Sequence, residues 1–454
     1  MSSSEIDALV AQLDSPEAAV RRRALRGLVR LCPAELPAAR RSEVNLHCHT
    51  FFSYNARGYS PSRFAWEARI YGLEAAGIVD FDVLDGTEEF LDAGRLLGLK
   101  TVAGFETRVF VPEYRARVTN SPHEPGVSYV MSTGFVRPPE PGSEAADVLG
   151  QMAACARRRN ERMVQRVNAH LEPVTVDYRA DLLPLTPAGN VTERHMLAAY
   201  VRRAREVLPD RRERAAFWSE RLREPVERVH ALLDDPVALK ALVRARLMKH
   251  GGVGYAPPQE GRFPDLNSVV RMTLDCGAVP VGGWLDGTND GERDPDELFA
   301  FWRSRGIEAV CIIPDRNWNV ADPRERAVKA AHLNAAVQAA ARLSMPLIVG
   351  TEMNADGQRF VDSFDVPELA PHRRAFLDGA HFAWGHTLLR MTAGAGATGA
   401  WAEAHFGGDR ARRNEFFRRL GAVVYPGVAV RDRLTAMGAG VEPQAALAAL
   451  ETHA

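Results

Sequence analysis

The sequence predicts an α/β fold, a barrel of parallel strands with a helical insertion and extra terminal helices. Three observations predict it. Short β runs rich in Val, Ile, Ala and Gly alternate with longer stretches of helical periodicity. Acidic or His residues follow several of these runs directly, as they do at the carboxyl ends of barrel strands. One helix-rich block, residues 140–250, interrupts the alternation and indicates an insertion.

The individual elements follow from the two periodicities. Strands are predicted at 44–49, 76–82, 101–106, 278–284, 309–314, 347–352 and 380–386. Between several of them, helices are predicted at 62–71, 88–97, 294–305 and 324–343. The repeated β-then-α order predicts parallel strands joined by crossover helices.

The domain organisation has five predicted parts. Residues 1–40 form a small helical segment, in which Ser15, Pro16 and Glu17 are a helix start signal. Residues 43–139 and 251–400 form the first and second parts of the barrel, 140–250 the insertion, and 401–454 the C-terminal helices.

The charge balance limits the possible partners. There are 57 Lys and Arg against 58 Asp and Glu, which argues against a generally basic nucleic-acid-binding surface. No apolar run approaches the roughly 18 residues that a membrane span needs. Five scattered cysteines without CxxC spacing predict reduced thiols in a cytoplasmic protein. Within the insertion, basic residues outnumber acidic ones, either as solvated helix faces or as an electropositive wall over an anionic substrate.

The strand ends carry the candidate metal ligands. His47 and His49 are two residues apart at the end of a β run, so their side chains point to the same side of the strand. Other predicted strands end at or near Asp80 and Asp82, Glu106, Glu352 and His386. Imidazoles and carboxylates delivered to one end of a barrel predict a site for a divalent ion, with Zn, Mn and Fe all suited.

One further segment, PDRNWN, offers an anion-binding group. Arg316 has a guanidinium suited to phosphate or carboxylate, and Asn317 follows it. The alternative is that Arg316 forms a structural ion pair with Asp315, Asp322 or Glu352.

The motifs resemble a known superfamily. NLHCHTFFSYNARGYSP, VDFD and GLKTVAGFE resemble the opening of the polymerase-and-histidinol-phosphatase (PHP) domain, over roughly residues 43–400. RRRNERMVQRVN, VTERHMLAAY and KHGGVGYAPP are similar to its nucleotide-phosphatase branch, in which a helical insertion interrupts the barrel. The resemblance implies a distorted (β/α)7 TIM-like barrel and metal-dependent phosphoester hydrolysis.

The resemblance assigns roles residue by residue. It implies that His47 and His49 are the first two ligands and Glu106 a carboxylate bridging two metals, with Glu352 in place of a ligand Asp. His195 matches a motif position of the nucleotide-phosphatase branch, with a buried helix residue as its alternative role. The sequence departs from the family pattern at five ligand positions, which are occupied by Ser53, Phe81, Tyr129 or Val130, Trp284 and Asn354.

The predicted function is a hydrolase with one or two divalent ions, acting on a small phosphomonoester or nucleotide. Asp80 or Asp82 would orient or deprotonate the attacking water, and Arg316 would hold the anionic group. Further substrate contacts are predicted from Asn317, Asn354 and His195. Two alternatives stay open: a single-metal hydrolase, lyase or isomerase acting on another small anionic metabolite, and a non-catalytic metal-binding protein.

Overall fold

A seven-stranded sheet forms the centre of the computed structural model, which describes residues 3–32, 42–259, 261–423, 425 and 427–451. Each strand pairs with the next one along the chain. The strands are β1 (Val44–Cys48), β2 (Ala75–Phe81), β3 (Lys100–Phe110), β4 (Val127–Thr133), β5 (Val279–Trp284), β6 (Ala309–Ile312) and β7 (Leu347–Val349). A bridge between Cys48 and Glu352 joins β1 to the chain just after β7, so the sheet is nearly closed into a barrel.

The strand directions are mixed, so the prediction of an all-parallel barrel was wrong. β1, β2 and β3 are parallel, as are β5, β6 and β7, but β4 is antiparallel to both β3 and β5. The difference arises because β3 continues past Glu106 to Phe110 and the chain then returns through β4, a strand that the sequence did not predict. The α/β class and a barrel-like sheet are confirmed.

The N-terminal helices pack against the first barrel helices. They are α1 (Ser3–Gln12), α2 (Ala18–Leu31), α3 (Pro61–Tyr71) and α4 (Thr87–Leu97), and they share one apolar cluster. α3 begins where the Ser60 hydroxyl accepts a hydrogen bond from the Arg63 N–H, and it ends at Gly72, whose φ is 83°. Of the predicted segment 1–40, residues 1–2 and 33–40 lie outside the described residues.

The described residues of the predicted insertion contain five helices and two short π-helical segments, of which the first is Tyr178–Leu182. The helices are α5 (Glu144–Leu171), α6 (Glu193–Val207), α7 (Arg211–Leu222), α8 (Val226–Leu232) and α9 (Pro236–Val243), followed by the segment Arg244–Met248. They enclose an apolar cluster of their own, with Trp218 and Tyr200 fully buried in it. This cluster is separate from that of the barrel, and α5 joins the two, because its residue Met152 belongs to the barrel cluster.

After residue 250 of the described chain, four helices alternate with the last three strands, and five more follow β7. The helices are α10 (Leu266–Asp275), α11 (Pro295–Ser304), α12 (Asp315–Trp318), α13 (Pro323–Arg342), α14 (Arg373–Ala393), α15 (Ala400–Phe406), α16 (Arg410–Ala422), α17 (Val428–Met437) and α18 (Pro443–Glu451). Single turns lie at Pro112–Tyr114, Tyr178–Leu182, Leu183–Leu185, Ala370–His372 and Gly438–Gly440. Nowhere in the described chain is a helix both long and apolar enough to cross a membrane.

The predicted strand 380–386 was wrong, since these residues lie inside α14. The helix packs so closely on β7 that a Cβ atom at Gly379 would lie 1.8 Å from the Leu347 carbonyl oxygen. It is buried on most sides, so its sequence has no polar stripe, and a short apolar run of this kind does not distinguish strand from buried helix.

Candidate metal centre

Three buried side chains converge at the carboxyl ends of β1 and β2. His47 lies in β1, His49 follows that strand, and Glu106 lies in β3 beside Phe81 of β2. The Glu106 Oε2 atom is 3.5 Å from His47 Nε2 and 3.1 Å from His49 Nε2. The three donor atoms lie within 4.8 Å of one another. The predicted convergence of the two histidines is therefore present, and Glu106 joins them.

These three atoms fit a divalent ion. His47 Nε2, His49 Nε2 and Glu106 Oε2 are all buried, and none has a hydrogen-bond partner within the described part of the chain. Buried polar atoms are nearly always paired, so three unpaired ones facing each other are unusual. Two imidazole nitrogens and a carboxylate oxygen are the donor set that zinc, manganese and iron accept.

The electrostatics of the three groups favour a charged Glu106. Burial alone would raise the pKa of this carboxyl, but the charge of His47 and the close approach of both imidazoles outweigh burial and lower the pKa to about 2. For His47, burial acts in the direction of a lower pKa. Its neighbours Cys311 and Glu106 outweigh burial, so the pKa of His47 is well above its usual value. The carboxylate is thus ionised at neutral pH, as a metal ligand must be.

A buried hydrogen-bond chain orients His49. The Asp80 carboxylate accepts hydrogen bonds from the Thr50 N–H at 2.7 Å, the Thr50 hydroxyl at 2.6 Å and the Ser53 hydroxyl at 2.7 Å. Since Ser53 donates to Asp80, its oxygen is left to accept from His49 Nδ1, 3.1 Å away. A proton on Nδ1 leaves the Nε2 lone pair directed toward Glu106. Asp80 therefore acts on the centre through Ser53.

The two residues after Asp80 make different contacts near the centre. Phe81 stacks on the His49 ring with centroids 4.2 Å apart. Asp82 has a φ of 60°, and it accepts a hydrogen bond from the Thr107 hydroxyl at 2.5 Å. Burial raises the pKa of Asp82, although Arg159 and Arg108 nearby act in the opposite direction. Because the chain leaves the strand conformation at Asp82, strand alternation does not relate Asp80 to Asp82.

His47 contacts both β6 and the chain just after β7. Its Nδ1 atom is 3.2 Å from the Cys311 sulfur of β6, and its carbonyl oxygen accepts the Glu352 N–H at 2.7 Å. A Cβ atom at Gly350 would lie 2.3 Å from the His47 nitrogen. Only glycine allows the chain after β7 to approach β1 this closely.

The structure pairs Glu352 with Arg316. The Arg316 Nη2 atom is 2.9 Å from Glu352 Oε2, and Gln358 donates a hydrogen bond to the same oxygen at 2.7 Å. Glu352 is not a member of the donor group formed by His47, His49 and Glu106. The alternative role for Arg316, an ion pair with Glu352, is thus the one observed. The Arg316 side chain is 43% exposed, and the charge of Glu352 raises its pKa.

The remaining predicted substrate-binding residues occupy three different elements. Asn317 is fully buried in α12, and its amide donates to the Leu285 and Ile313 carbonyl oxygens. Asn354 is half-buried in the loop after β7. His195 lies in the first turn of α6, where Nδ1 accepts the Thr192 N–H at 3.1 Å, and burial lowers its pKa to about 4. Its ring lies edge-on to Tyr54, in the loop after β1.

His386 lies at the opposite end of the barrel. Its ring packs on Gly134, just after Thr133, and Thr133 pairs with Val279 at the start of β5. The expectation that His386 follows a strand and enters the metal site was wrong in its premise, since the residue is in α14. Its Nδ1 atom accepts the Ala397 N–H at 2.9 Å.

Sequence reasoning missed several residues that shape the centre. Ser53 was treated as a lost ligand, although a hydroxyl four residues after His49 can reach its ring. Thr50, Cys311 and Gln358 carry no sequence signal, because each acts only through a tertiary neighbour. Trp284 is a packing residue whose indole donates to the Glu292 carbonyl oxygen at 3.2 Å.

Comparison with known proteins gives structural similarity only. No protein-family model matches the chain, and no curated protein is similar to it. An amidohydrolase from Chromobacterium violaceum, solved with bound sulfate and no metal, superposes with a TM-score of 0.48 and 14% identity, over 74% of this chain and 96% of that one. A protein from Bifidobacterium adolescentis described as a metal-dependent phosphoesterase has a TM-score of 0.45 and 20% identity, with the same two coverages.

Proposed function

We propose that this chain is a metal-dependent hydrolase of the PHP type, with His47, His49 and Glu106 holding a divalent ion. The observation that supports this most is the set of three buried donor atoms without hydrogen-bond partners in the described chain. The hydrogen-bond chain from Asp80 through Ser53 to His49 adds support, because metal-binding histidines are commonly oriented through their second nitrogen.

Each surrounding side chain then has a distinct task. A divalent ion held by His47, His49 and Glu106 would supply a hydroxide nucleophile at neutral pH, because it would lower the pKa of water. Asp82 is the candidate for proton transfer, since its N–H donates to the Glu106 carbonyl oxygen at 2.8 Å and burial raises the pKa of its carboxyl. Asp80 positions His49 and does not itself transfer a proton. Phe81 excludes water from one face of the His49 ring.

The proposed substrate is a small phosphomonoester or nucleotide. Arg316 uses Nη2 to bind Glu352, which leaves its other N–H groups for an anion. Glu352 and Gln358 would then fix the direction of this guanidinium. The motif resemblance to the nucleotide-phosphatase branch supports the same substrate class.

A second candidate is hydrolysis of an amide or ester with a single ion. It is favoured by the finding that the described residues form one donor group only. Glu352 is engaged by Arg316, and Asp80 by Thr50 and Ser53, so neither carboxylate is free for a second ion as the chain stands. A two-ion clamp on both the attacking and leaving oxygens would require one of them to move.

Metal stoichiometry and substrate screening test the proposal together. Protein purified without chelator is analysed for bound elements beside His49→Ala, and both are assayed with p-nitrophenyl phosphate and with p-nitrophenyl acetate. We expect at least one equivalent of metal, lost in the variant, and metal-dependent release from the phosphate ester. Release from the acetate alone would favour the second candidate. Absence of metal after reconstitution with Zn, Mn or Fe would refute both, and metal without any turnover would indicate a binding protein.

A further inference from the structure

A cleft separate from the three metal donors lies between the insertion and the barrel mouth. Its volume is about 270 Å³, which corresponds to roughly nine water molecules at ~30 Å³ each. The insertion contributes α6, α9 and the segment Arg244–Met248, and the barrel contributes the loops after β1 and β7. Its polar lining consists of Tyr54, Arg194, Lys240, Arg244, Lys249 and Asp356.

The lining carries more positive than negative charge. Glu193 binds two of the four cations, with 2.9 Å to both Arg244 Nε and Lys249 Nζ. Asp356 binds Lys240 across the cleft at 3.0 Å. Arg194 has no ion pair within the residues that the structure describes. Two carboxylates thus face four cations, which leaves two positive charges uncompensated.

The uncompensated positive charge of the cleft is concentrated around Arg194. This side chain is half-buried, and burial together with the charge of Arg244 lowers the pKa of its guanidinium. Like charges held together in a partly enclosed space repel more strongly than in open water. An anion between them would remove this repulsion, whereas an empty cleft offers only solvent.

We propose that this cleft binds a dianionic phosphoryl group, with Arg194 as the principal contact and Lys240 and Arg244 beside it. Two excess positive charges match a dianion, and a guanidinium binds phosphate through two parallel N–H groups. The cleft is larger than one phosphate, so the group arrives either as the free ion or on a larger molecule. Since His47, His49 and Glu106 are not among the lining residues, this binding does not require the proposed hydrolase reaction.

Titration of inorganic phosphate into the full chain tests the site, with the heat of binding as the measurement. We expect saturable binding at one phosphate per chain that persists in His49→Ala. Arg194→Gln should weaken it about tenfold or more, because a charge-assisted contact is lost without disturbing an ion pair. Lys240→Gln is a second variant, expected to weaken binding less. Arg203→Gln is the matched control, since Arg203 lies exposed on the same helix and outside the cleft.

The outcomes separate this site from the metal centre. Binding that disappears in His49→Ala and is unchanged in Arg194→Gln would overturn the proposal, as would the absence of saturable binding at millimolar phosphate. Phenyl phosphate distinguishes the two sources of the phosphoryl group. Tighter binding than inorganic phosphate in His49→Ala would indicate a larger molecule occupying the rest of the cleft, and equal binding would indicate the free ion.

Discussion

Each end of the barrel buries one histidine completely, His49 at the carboxyl end and His386 at the other. Only His49 has the surroundings of a metal ligand. At the carboxyl end, His49 faces Glu106 and leaves Nε2 without a hydrogen bond in the described chain. At the other end, His386 has no carboxylate among the groups that shift its pKa, and burial lowers that pKa to about 3. Burial alone therefore does not identify a metal ligand. The Nε2 atoms of both histidines lack a hydrogen-bond partner in the described residues, so the distinction lies elsewhere. His49 faces a carboxylate and has its Nε2 lone pair free, whereas His386 accepts a hydrogen bond at Nδ1 and so carries its proton on Nε2.

The largest expected effect is the loss of metal in Glu106→Gln. The amide keeps the size of the side chain but removes the negative charge between His47 and His49. We expect metal affinity to fall by a hundredfold or more, measured by competition with a fluorescent chelator. His386→Asn is the comparison variant and should keep its metal. An equal loss of metal affinity in Glu106→Gln and His386→Asn would mean that the metal does not bind specifically at the carboxyl end of the barrel.

Asp80→Asn tests how the tautomer of His49 is fixed. The amide can donate to Ser53, which reverses the hydrogen bond and removes the acceptor for His49 Nδ1–H. We expect a ten- to hundredfold loss of metal affinity, the usual range for partners of metal-binding histidines. Thermal unfolding of the metal-free protein provides the control, since Asp80 also binds Thr50. A loss of stability with unchanged metal affinity would restrict Asp80 to a structural role.

The pH dependence of stability tests the other end. The pKa of His386 is about 3 in the folded chain and about 6.5 when unfolded, so the unfolded state binds the proton more readily. The contribution of neutral His386 to the free energy of unfolding is complete above about pH 6.5 and is lost as the pH falls toward 3. Between pH 7.5 and 5 the loss is about 2 kcal/mol from this group.

Urea unfolding of wild type and His386→Asn at the two pH values measures this loss. The asparagine keeps an acceptor for the Ala397 N–H, so the variant should be less stable at pH 7.5 but lose less on acidification. An unchanged pH slope would show that His386 is not the group responsible. His195, whose pKa is lowered to about 4, titrates in both proteins and cancels in the comparison.

Much of the metal end could be predicted from the sequence, and the other end could not. The HxH spacing places two imidazoles on one side of a strand, and the residue after a Gly-Phe pair in the neighbouring run is Glu106. The antiparallel β4 was missed because its residues, near Tyr129, have no clear alternation. His386 was misplaced because a buried helix and a buried strand share the same apolar composition. The partners of Glu352 and Asp80 depend on loop conformations that no local pattern specifies.

Glu352→Gln is expected to have the smallest effect on metal affinity. It tests whether the metal centre at the carboxyl end includes Glu352 beside His47, His49 and Glu106. Sequence position alone predicts a ligand at Glu352, with at least a tenfold loss of metal affinity in this variant. Its carboxylate instead binds Arg316 and Gln358, so we expect metal affinity to change by less than about threefold. Arg316 would lose its fixed direction, so the Michaelis constant for an anionic substrate should change while metal content does not. A tenfold loss of metal would instead mean that Glu352 leaves Arg316 when the ion binds, which would free the guanidinium for the substrate at the same moment.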